Sequence, residues 1–176
     1  MIHVVLVHPE IPWNTGNIGR TCVGAGAELH LVEPLGFTLD DKFLRRAGLD
    51  YWSDLRLTIH KSLRELLRAP LMKGPVFLFS RFGKKSFWDV DYPDGSVLVF
   101  GSETAGLSKG MKKRFAGRLV RIPTPGPVRS LNLSTAVGIA LFEALRQRGT
   151  VSMKGGKVSY GEAAEDGRDV AGARHT

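Results

Sequence analysis

The chain has 176 residues, of which 43% are hydrophobic and 24% charged, and its formal net charge at pH 7 is +8. This hydrophobic fraction can build the core of one ordinary domain and excludes a chain that is disordered throughout. A single cysteine excludes an intramolecular disulfide, and Cys and His residues show no metal-ligand spacing along the chain, so we expect no metal site.

The apolar runs bear on location. Residues 1–7 lack the basic start of a signal peptide, and runs such as residues 4–7 are strand-sized. A membrane helix needs roughly 20 apolar residues. Together with the lone cysteine, which is typical of a reducing compartment, these features predict a soluble, cytoplasmic protein without a membrane segment.

Short β-branched runs alternate with helical patterns along the chain. Strands are predicted near residues 2–7, 28–32, 55–59, 76–80, 96–100 and 118–122, and helices near residues 17–25, 40–47, 62–68, 109–115 and 132–148. This alternation predicts one α/β domain, a mainly parallel sheet with flanking helices, over residues 1–148. Residues 149–176 are polar and poor in aliphatic side chains, and we expect them to form a disordered tail.

Parallel sheets bind ligands outside the carboxyl ends of their strands, so the loops after the strands are the candidate sites. Asn14, Asn17 and Arg20 follow the first strand. Asn14 and its neighbour Thr15 are candidates for helix caps. Arg20 has two possible roles, gripping a phosphate or ribose or forming an ion pair with an acid such as Glu103.

The loops after residues 80 and 100 both contain glycine. Gly101 and Gly106 can adopt positive φ or let the backbone approach a ligand closely, and Glu103 is a lone acid between them. Gly83 and the lysines after it are more typical of a mobile basic flap than of a phosphate cradle. The sequence contains neither a G-x-x-x-x-G-K-[ST] motif nor a Rossmann glycine pattern.

The most informative stretch is residues 122–143. Three prolines between residues 123 and 127 make the loop stiff and remove backbone donors. Asn132 is predicted to cap the helix that follows. Ser130, Asn132, Ser134 and the first helical amides then converge beside Arg129, which predicts a site for a small polar ligand.

The excess positive charge lies in the first part of the chain. Residues 1–150 hold 21 Lys or Arg against 13 Asp or Glu, whereas residues 151–176 hold four of each. Aromatic residues are interleaved with the basic clusters, which favours a polyanion whose bases stack on them. Solvated basic faces and core aromatics are the alternative interpretation.

Three segments, residues 14–20, 98–107 and 122–134, resemble in order the three motifs of the SPOUT RNA methyltransferases. Residues 33–37 and 41–51 extend the resemblance to the small, single-domain 2′-O-methyltransferases of the tRNA wobble nucleotide, and it covers residues 1 to about 148. It implies an α/β fold with a carboxyl-terminal trefoil knot and S-adenosylmethionine as cofactor. It also implies a homodimer whose partner subunit completes the active site, and the anticodon stem-loop of tRNA, with cytidine or uridine 34, as substrate.

The resemblance also implies residue roles. Cofactor contacts are expected from Phe79, Gly101, Ile122, Ser130 and Leu131. The expected catalytic residues are Arg20, Asn132, Glu103 and Ser134. Substrate contacts are expected from Asn14, Asn17, Arg129, Arg46 and Tyr51. We favour Arg20 as an electrostatic activator of the ribose hydroxyl, because a guanidinium is a poor proton acceptor. Methylation of another RNA such as rRNA, an RNA-binding module without catalysis and a nucleotide-binding regulator are the alternatives.

Overall fold

A computed structural model of the protein describes residues 1–39 and 51–149, and the backbone of residues 151–154 and 157–160. The strands of its main sheet are β1 His3–Val7, β2 Glu28–Val32, β3 Leu57–His60, β4 Val76–Phe79, β5 Lys85–Ser86, β6 Val97–Phe100 and β7 Leu119–Arg121. The helices are α1 Pro12–Gly24, α2 Leu63–Leu66, α3 Lys109–Arg114 and α4 Leu133–Gln147. Short 3₁₀ turns occupy Trp52–Asp54, Pro70–Lys73, Phe87–Asp89 and Ala116–Arg118.

The strands pair in the order β3-β2-β1-β6-β4-β7-β5, and every pair in this sheet is parallel. The predicted α/β fold with a parallel sheet is therefore confirmed. Parallel pairing requires both faces to be covered, and the central strands β1 and β6 are accordingly almost entirely apolar.

Two apolar clusters cover the two faces of the sheet. One cluster joins residues such as Leu6 and Leu98 to buried side chains of α1 and α4, among them Ile18 and Leu141. On the opposite face, Val5 and its neighbours pack against α2 and α3. Because α1 and α4 also pack against each other, the segments that carry the first and last motifs become neighbours.

Helix α1 begins earlier than predicted. The sequence predicts a start at residue 17, but the helix starts at Pro12, a residue favoured in the first turn because its missing N–H is not needed there. Ile11 occupies the cap position without a side-chain cap bond. The interpretation of Asn14 and Thr15 as caps is therefore wrong, since both lie buried inside the helix.

Strand β7 lies between β4 and β5, although both precede it in the chain. The connection from β4 to β5 passes so close to β7 that a Cβ on Gly83 would lie 2.5 Å from the carbonyl carbon of Val120. The amide of Gly83 also donates to the carbonyl of Ser80 at 2.9 Å, so this basic segment is anchored at a turn. A strand inserted between two earlier ones suits the threaded topology that the resemblance implies, and the knot itself stays a prediction.

Some predictions concern segments that the structure treats differently or omits. The helix predicted at residues 62–68 is only Leu63–Leu66, and the one predicted at residues 40–47 lies outside the described residues, as does Arg46. Val151–Lys154 and Lys157–Tyr160 form an antiparallel hairpin that the sequence analysis did not predict. The domain boundary at residue 148 stays a prediction. In the described part of the chain, every helix is too short or too polar to span a membrane.

Candidate functional site

A cavity of about 440 Å³ opens at the carboxyl edge of the sheet. The loops that follow β4, β6 and β7 line it together with the beginnings of α1 and α4. All five residues predicted to contact the cofactor are in its wall: Phe79, Gly101, Ile122, Ser130 and Leu131. Small-molecule sites occupy roughly 300–1,000 Å³, so the cavity has the size of such a site.

A hydrogen-bonded chain of side chains links three of its walls. The side-chain amide of Asn14 donates to Oε1 of Glu103 at 3.0 Å, and that of Asn132 donates to Oδ1 of Asn14 at 3.0 Å. Asn14 is only 2% exposed, although its partners Glu103 and Asn132 are half-buried and exposed. A buried amide with both ends occupied fixes its neighbours strongly, because breaking either bond leaves a buried polar group unsatisfied.

Asn132 caps α4 as the sequence predicts. Its Oδ1 accepts from the backbone amide of Ser134 at 2.8 Å and from the hydroxyl of Ser134 at 2.7 Å. Both ends of the Asn132 side chain are thus used within the protein. These contacts support a positioning role for Asn132 and Ser134, and their proposed participation in catalysis stays a prediction.

Glu10 is a site residue that the sequence analysis missed. Its backbone amide donates to Oε2 of Glu103 at 2.8 Å, while its own carboxylate accepts from the hydroxyl and amide of Thr104 at 2.6 and 3.1 Å. The bond from the Thr104 hydroxyl is the main cause that lowers the pKa of the Glu10 carboxyl. Its position in the loop after the first strand was the available signal. The Glu103 carboxylate accepts from Glu10 and Asn14 and forms no ion pair with Arg20 among the described residues, so that form of the alternative is wrong, and a pair of Arg20 with another acid stays a prediction.

Both glycines of the loop after β6 are required by the conformation of the loop. Gly106 has φ of 65°, which L side chains rarely adopt. A Cβ on Gly101 would lie 2.1 Å from the carbonyl carbon of Gly106 and 2.2 Å from the nitrogen of Leu107. The close approach at Gly101 is therefore to its own loop, which returns through a bridge between Ser102 and Gly106.

Arg20 lies on the outer surface of α1 and does not line the cavity. It is six residues beyond Asn14, or about 9 Å along the helix axis. Its guanidinium carbon is 5.6 Å from the ring centre of Tyr51, whose hydroxyl donates to the carbonyl of Gly16 at 3.0 Å. Burial raises the pKa of Tyr51, and Arg20 opposes that shift. Tyr51 is thereby held on α1 beneath the Arg20 guanidinium.

The predicted site residues thus fall into two groups. Asn14, Glu103, Arg129 and Asn132 line the cavity with the five predicted cofactor contacts, whereas Asn17, Arg20, Tyr51 and Ser134 do not. Arg46 lies outside the described residues.

A basic aromatic rim borders the cavity. Phe82 is exposed, and its ring centre lies 4.7 Å from the guanidinium carbon of Arg81 and 4.6 Å from Nζ of Lys112. All three residues line the cavity. The sequence analysis did not connect these three residues to the ligand site, since Lys112 is distant from the other two along the chain.

Comparison with known proteins identifies the family. The model of the SpoU rRNA Methylase family matches residues 1–142. A tRNA (cytidine(34)-2′-O)-methyltransferase of Burkholderia pseudomallei is 46% identical over 151 residues, which are 85% of this chain and 97% of that protein.

Two solved structures share the fold. One, from work on the 2-OH methylation of C/U34 on tRNA, has a TM-score of 0.81 and 47% identity over 84% of this chain and 96% of its own. A SpoU methyltransferase of Streptomyces viridochromogenes in complex with AdoMet has a TM-score of 0.72 and 29% identity over 83% of this chain and 60% of its own. The predicted resemblance is confirmed, and the chain belongs to the SpoU rRNA Methylase family.

Proposed function

We propose that the protein transfers a methyl group from S-adenosylmethionine to the ribose 2′-hydroxyl of nucleotide 34 in tRNA. The convergence of the loops after β4, β6 and β7 with the start of α1 on one cavity carries this proposal. Nucleotide 34 of tRNA is supported as the substrate by the Burkholderia pseudomallei relative, which is named for cytidine 34, and by the neighbour from work on C/U34. Whether cytidine, uridine or both are methylated is decided by the assay below.

The cavity suits the cofactor chemically. Bound there, S-adenosylmethionine supplies the methyl group as an electrophilic sulfonium. The stacked rings of Phe79 and Phe100, with centres 4.6 Å apart, give an apolar wall for a flat base. Ser130 and the backbone of Gly101 offer polar contacts, with Ile122 and Leu131 beside them. The AdoMet complex of the Streptomyces viridochromogenes neighbour supports this assignment.

A homodimer explains why Arg20 lies outside the cavity of its own chain. Trp13 on α1, with 53% exposure, and Ile139 and Phe142 on α4, with 38% and 55%, present apolar surface on two helices that pack together. Residues 139 and 142 are one helical turn apart and share a face. We propose that this surface is the dimer interface and that Arg20 of one subunit completes the cavity of the other.

Arg20 then acts by charge. The reaction needs the ribose oxygen in line with the methyl group and its developing negative charge stabilised. A guanidinium binds a phosphate and an alkoxide oxygen simultaneously through its fork of N–H donors. The Tyr51 ring limits where this fork can point. The proton leaves to a neighbouring group or to water.

The basic rim fits the RNA. Arg81, Phe82 and Lys112 offer positive charge and a ring face at the mouth of the cavity, which suits an unstacked base in the anticodon stem-loop. We propose Asn17, Arg129, Arg46 and Tyr51 as further tRNA contacts. A tRNA substrate agrees with the cytoplasmic location expected from the sequence.

The test incubates the protein with unmodified total tRNA and methyl-labelled S-adenosylmethionine and then maps the alkali-resistant ribose. We expect label at nucleotide 34. A parallel reaction with ribosomal RNA tests the alternative to which the family description points. Label only in ribosomal RNA would replace the substrate, and label in neither RNA, with cofactor bound, would support the binding module.

A further inference from the structure

We propose that His3, Glu28 and His30 form a binding site for one divalent transition-metal ion of the zinc class. The site is separate from the cavity and independent of the proposed function. His3 and Glu28 are the first residues of β1 and β2, so they lie at the amino edge of the sheet, whereas the cavity lies at its carboxyl edge.

Strand register brings these side chains together. His3 is paired with Glu28 across β1 and β2, and His30 follows two residues later on the same face. Nδ1 of His3 lies 3.1 Å from Nε2 of His30. The two carboxylate oxygens of Glu28 lie 3.5 Å from these nitrogens, Oε2 from that of His3 and Oε1 from that of His30. One ligand atom from each of the three residues can be chosen so that all three atoms lie within 4.8 Å of one another.

These separations match a face of a metal tetrahedron. Zinc binds nitrogen and carboxylate oxygen at about 2.0–2.2 Å, which places two tetrahedral ligand atoms roughly 3.3–3.5 Å apart. Because the two 3.5 Å separations end on different oxygens of Glu28, an ion in front of the triangle formed by the two nitrogens and one oxygen would require the carboxylate to rotate. Two imidazoles and one carboxylate are also a common zinc ligand set.

A second layer of contacts orients two of the three ligands. Nδ1 of His30 lies 3.2 Å from Nε2 of His60 on β3, so His30 can donate its other N–H there while Nε2 faces the ion. Thr58 donates its hydroxyl to Oε1 of Glu28 at 2.9 Å. Metal-binding histidines almost always pass their second N–H to such a partner, which fixes the tautomer and the ring.

The exposure of these residues and the charges around them suit a metal site that opens to solvent on one side. His30 is 3% exposed, so its Nε2 faces His3 and Glu28 and is shielded from bulk water. His3 and Glu28 are each about a quarter or less exposed, leaving a fourth position open to water. The N-terminal ammonium opposes a cation here, but it is bound to Asp94.

The alternative is a ladder of hydrogen-bonded histidines that needs no ion, because one proton in each nitrogen pair satisfies the same distances. Titration of the full, untagged chain after chelator treatment separates the two. Zn²⁺ is titrated by calorimetry and counted by mass spectrometry, and Co²⁺ is added in parallel because tetrahedral Co²⁺ absorbs visible light strongly.

We expect one equivalent of Zn²⁺, a tetrahedral Co²⁺ spectrum and a higher melting temperature with Zn²⁺ than with Mg²⁺. Glu28→Gln is nearly isosteric and His3 is partly exposed, so both Glu28→Gln and His3→Gln should fold. Each should weaken Zn²⁺ binding by about tenfold or more. Glu65→Gln is the matched control, since its carboxylate lies 4.0 Å from His60 and outside the triangle, and it should change binding by less than about threefold.

Absence of stoichiometric binding to the native chain would overturn the proposal. A six-coordinate Co²⁺ spectrum, or equal affinity in Glu28→Gln and His3→Gln when circular dichroism shows them folded, would do so as well. The stoichiometry of Zn²⁺ binding and the Co²⁺ spectrum are measured on the native chain, so the proposed metal site is tested even if a variant does not fold. Loss of methyl transfer bears only on the proposed function, since none of these measurements uses S-adenosylmethionine or RNA.

Discussion

Replacing Gly101 with alanine should weaken cofactor binding through a purely steric effect. The new Cβ would lie 2.1 and 2.2 Å from the carbonyl carbon of Gly106 and the nitrogen of Leu107, where ordinary contact begins at 3.4 Å. The returning strand of the loop must therefore move by about 1 Å, since backbone atoms cannot rotate away as a side-chain end does. Such overpacking costs about 1–3 kcal/mol.

If that cost falls on the bound form of the loop, the affinity for S-adenosylmethionine should drop by about 5- to 150-fold. Calorimetry measures the affinity, and circular dichroism with thermal melting shows whether the fold survives. Gly24→Ala is the matched control, because no atom lies within 4 Å of its new Cβ, and it should leave the affinity unchanged. A Gly101→Ala protein with native affinity and native melting temperature would refute the close-approach argument.

Four further outcomes follow from the contacts described. Asn14→Ala should lower the free energy of unfolding, measured in urea, by about 1–3 kcal/mol, because two hydrogen bonds of the buried Asn14 side chain are lost. Thr21→Ala removes one exposed hydrogen bond and should cost less than about 1 kcal/mol; equal effects would contradict the proposed role of the Asn14 bonds. Arg20→Lys should reduce turnover by about tenfold or more without changing cofactor affinity, and near-normal turnover would remove Arg20 from the mechanism. Tyr51→Leu should reduce turnover more than Tyr51→Phe, which keeps the ring near Arg20, and the reverse order in the same assay would exclude the ring as a positioning element. Cys22 is buried, and burial raises its pKa from 9.0 to about 12, so a thiol reagent should label it only on unfolding; rapid labelling of the native chain would be inconsistent with this burial. The stability that the neutral thiol contributes is present below pH 9 and should fall, relative to Cys22→Ala, as the pH rises towards 12.

Local chemistry explains which features the sequence could predict. Short β-branched runs placed six strands of the sheet to within a few residues. Asn132 indicated a helix start, because its side chain accepts from the amides two and three residues ahead. The Pro-rich loop and the glycine turn predicted where a ligand cavity should form. Five residues assigned through the family resemblance indeed share one cavity wall, and their contacts with the cofactor stay predictions.

The remaining features depend on residues that are distant along the chain. Asn14 bonds to Glu103 and Asn132, which are 89 and 118 positions away, so its burial in a helix had no local signal. Glu10 and Glu103 were both visible as acids, but the bond from the Glu10 amide to the Glu103 carboxylate depends on the pairing of β1 with β6 in the sheet. His3 and His30 are 27 residues apart, and only the register of two strands makes them neighbours.

The location of β7 between β4 and β5 determines when this protein can finish folding. During translation the ribosome releases β1, β2 and β3 early, and their mutual pairing needs only the first 60 residues. Strand β5 has to wait for β7, synthesised more than 30 residues later, before it gains its partner. A nascent chain stopped before residue 119 would therefore hold five paired strands, lack β7 and the complete ligand cavity, and leave β5 unpaired. Until the last helix emerges, such a chain exposes apolar surface that favours aggregation.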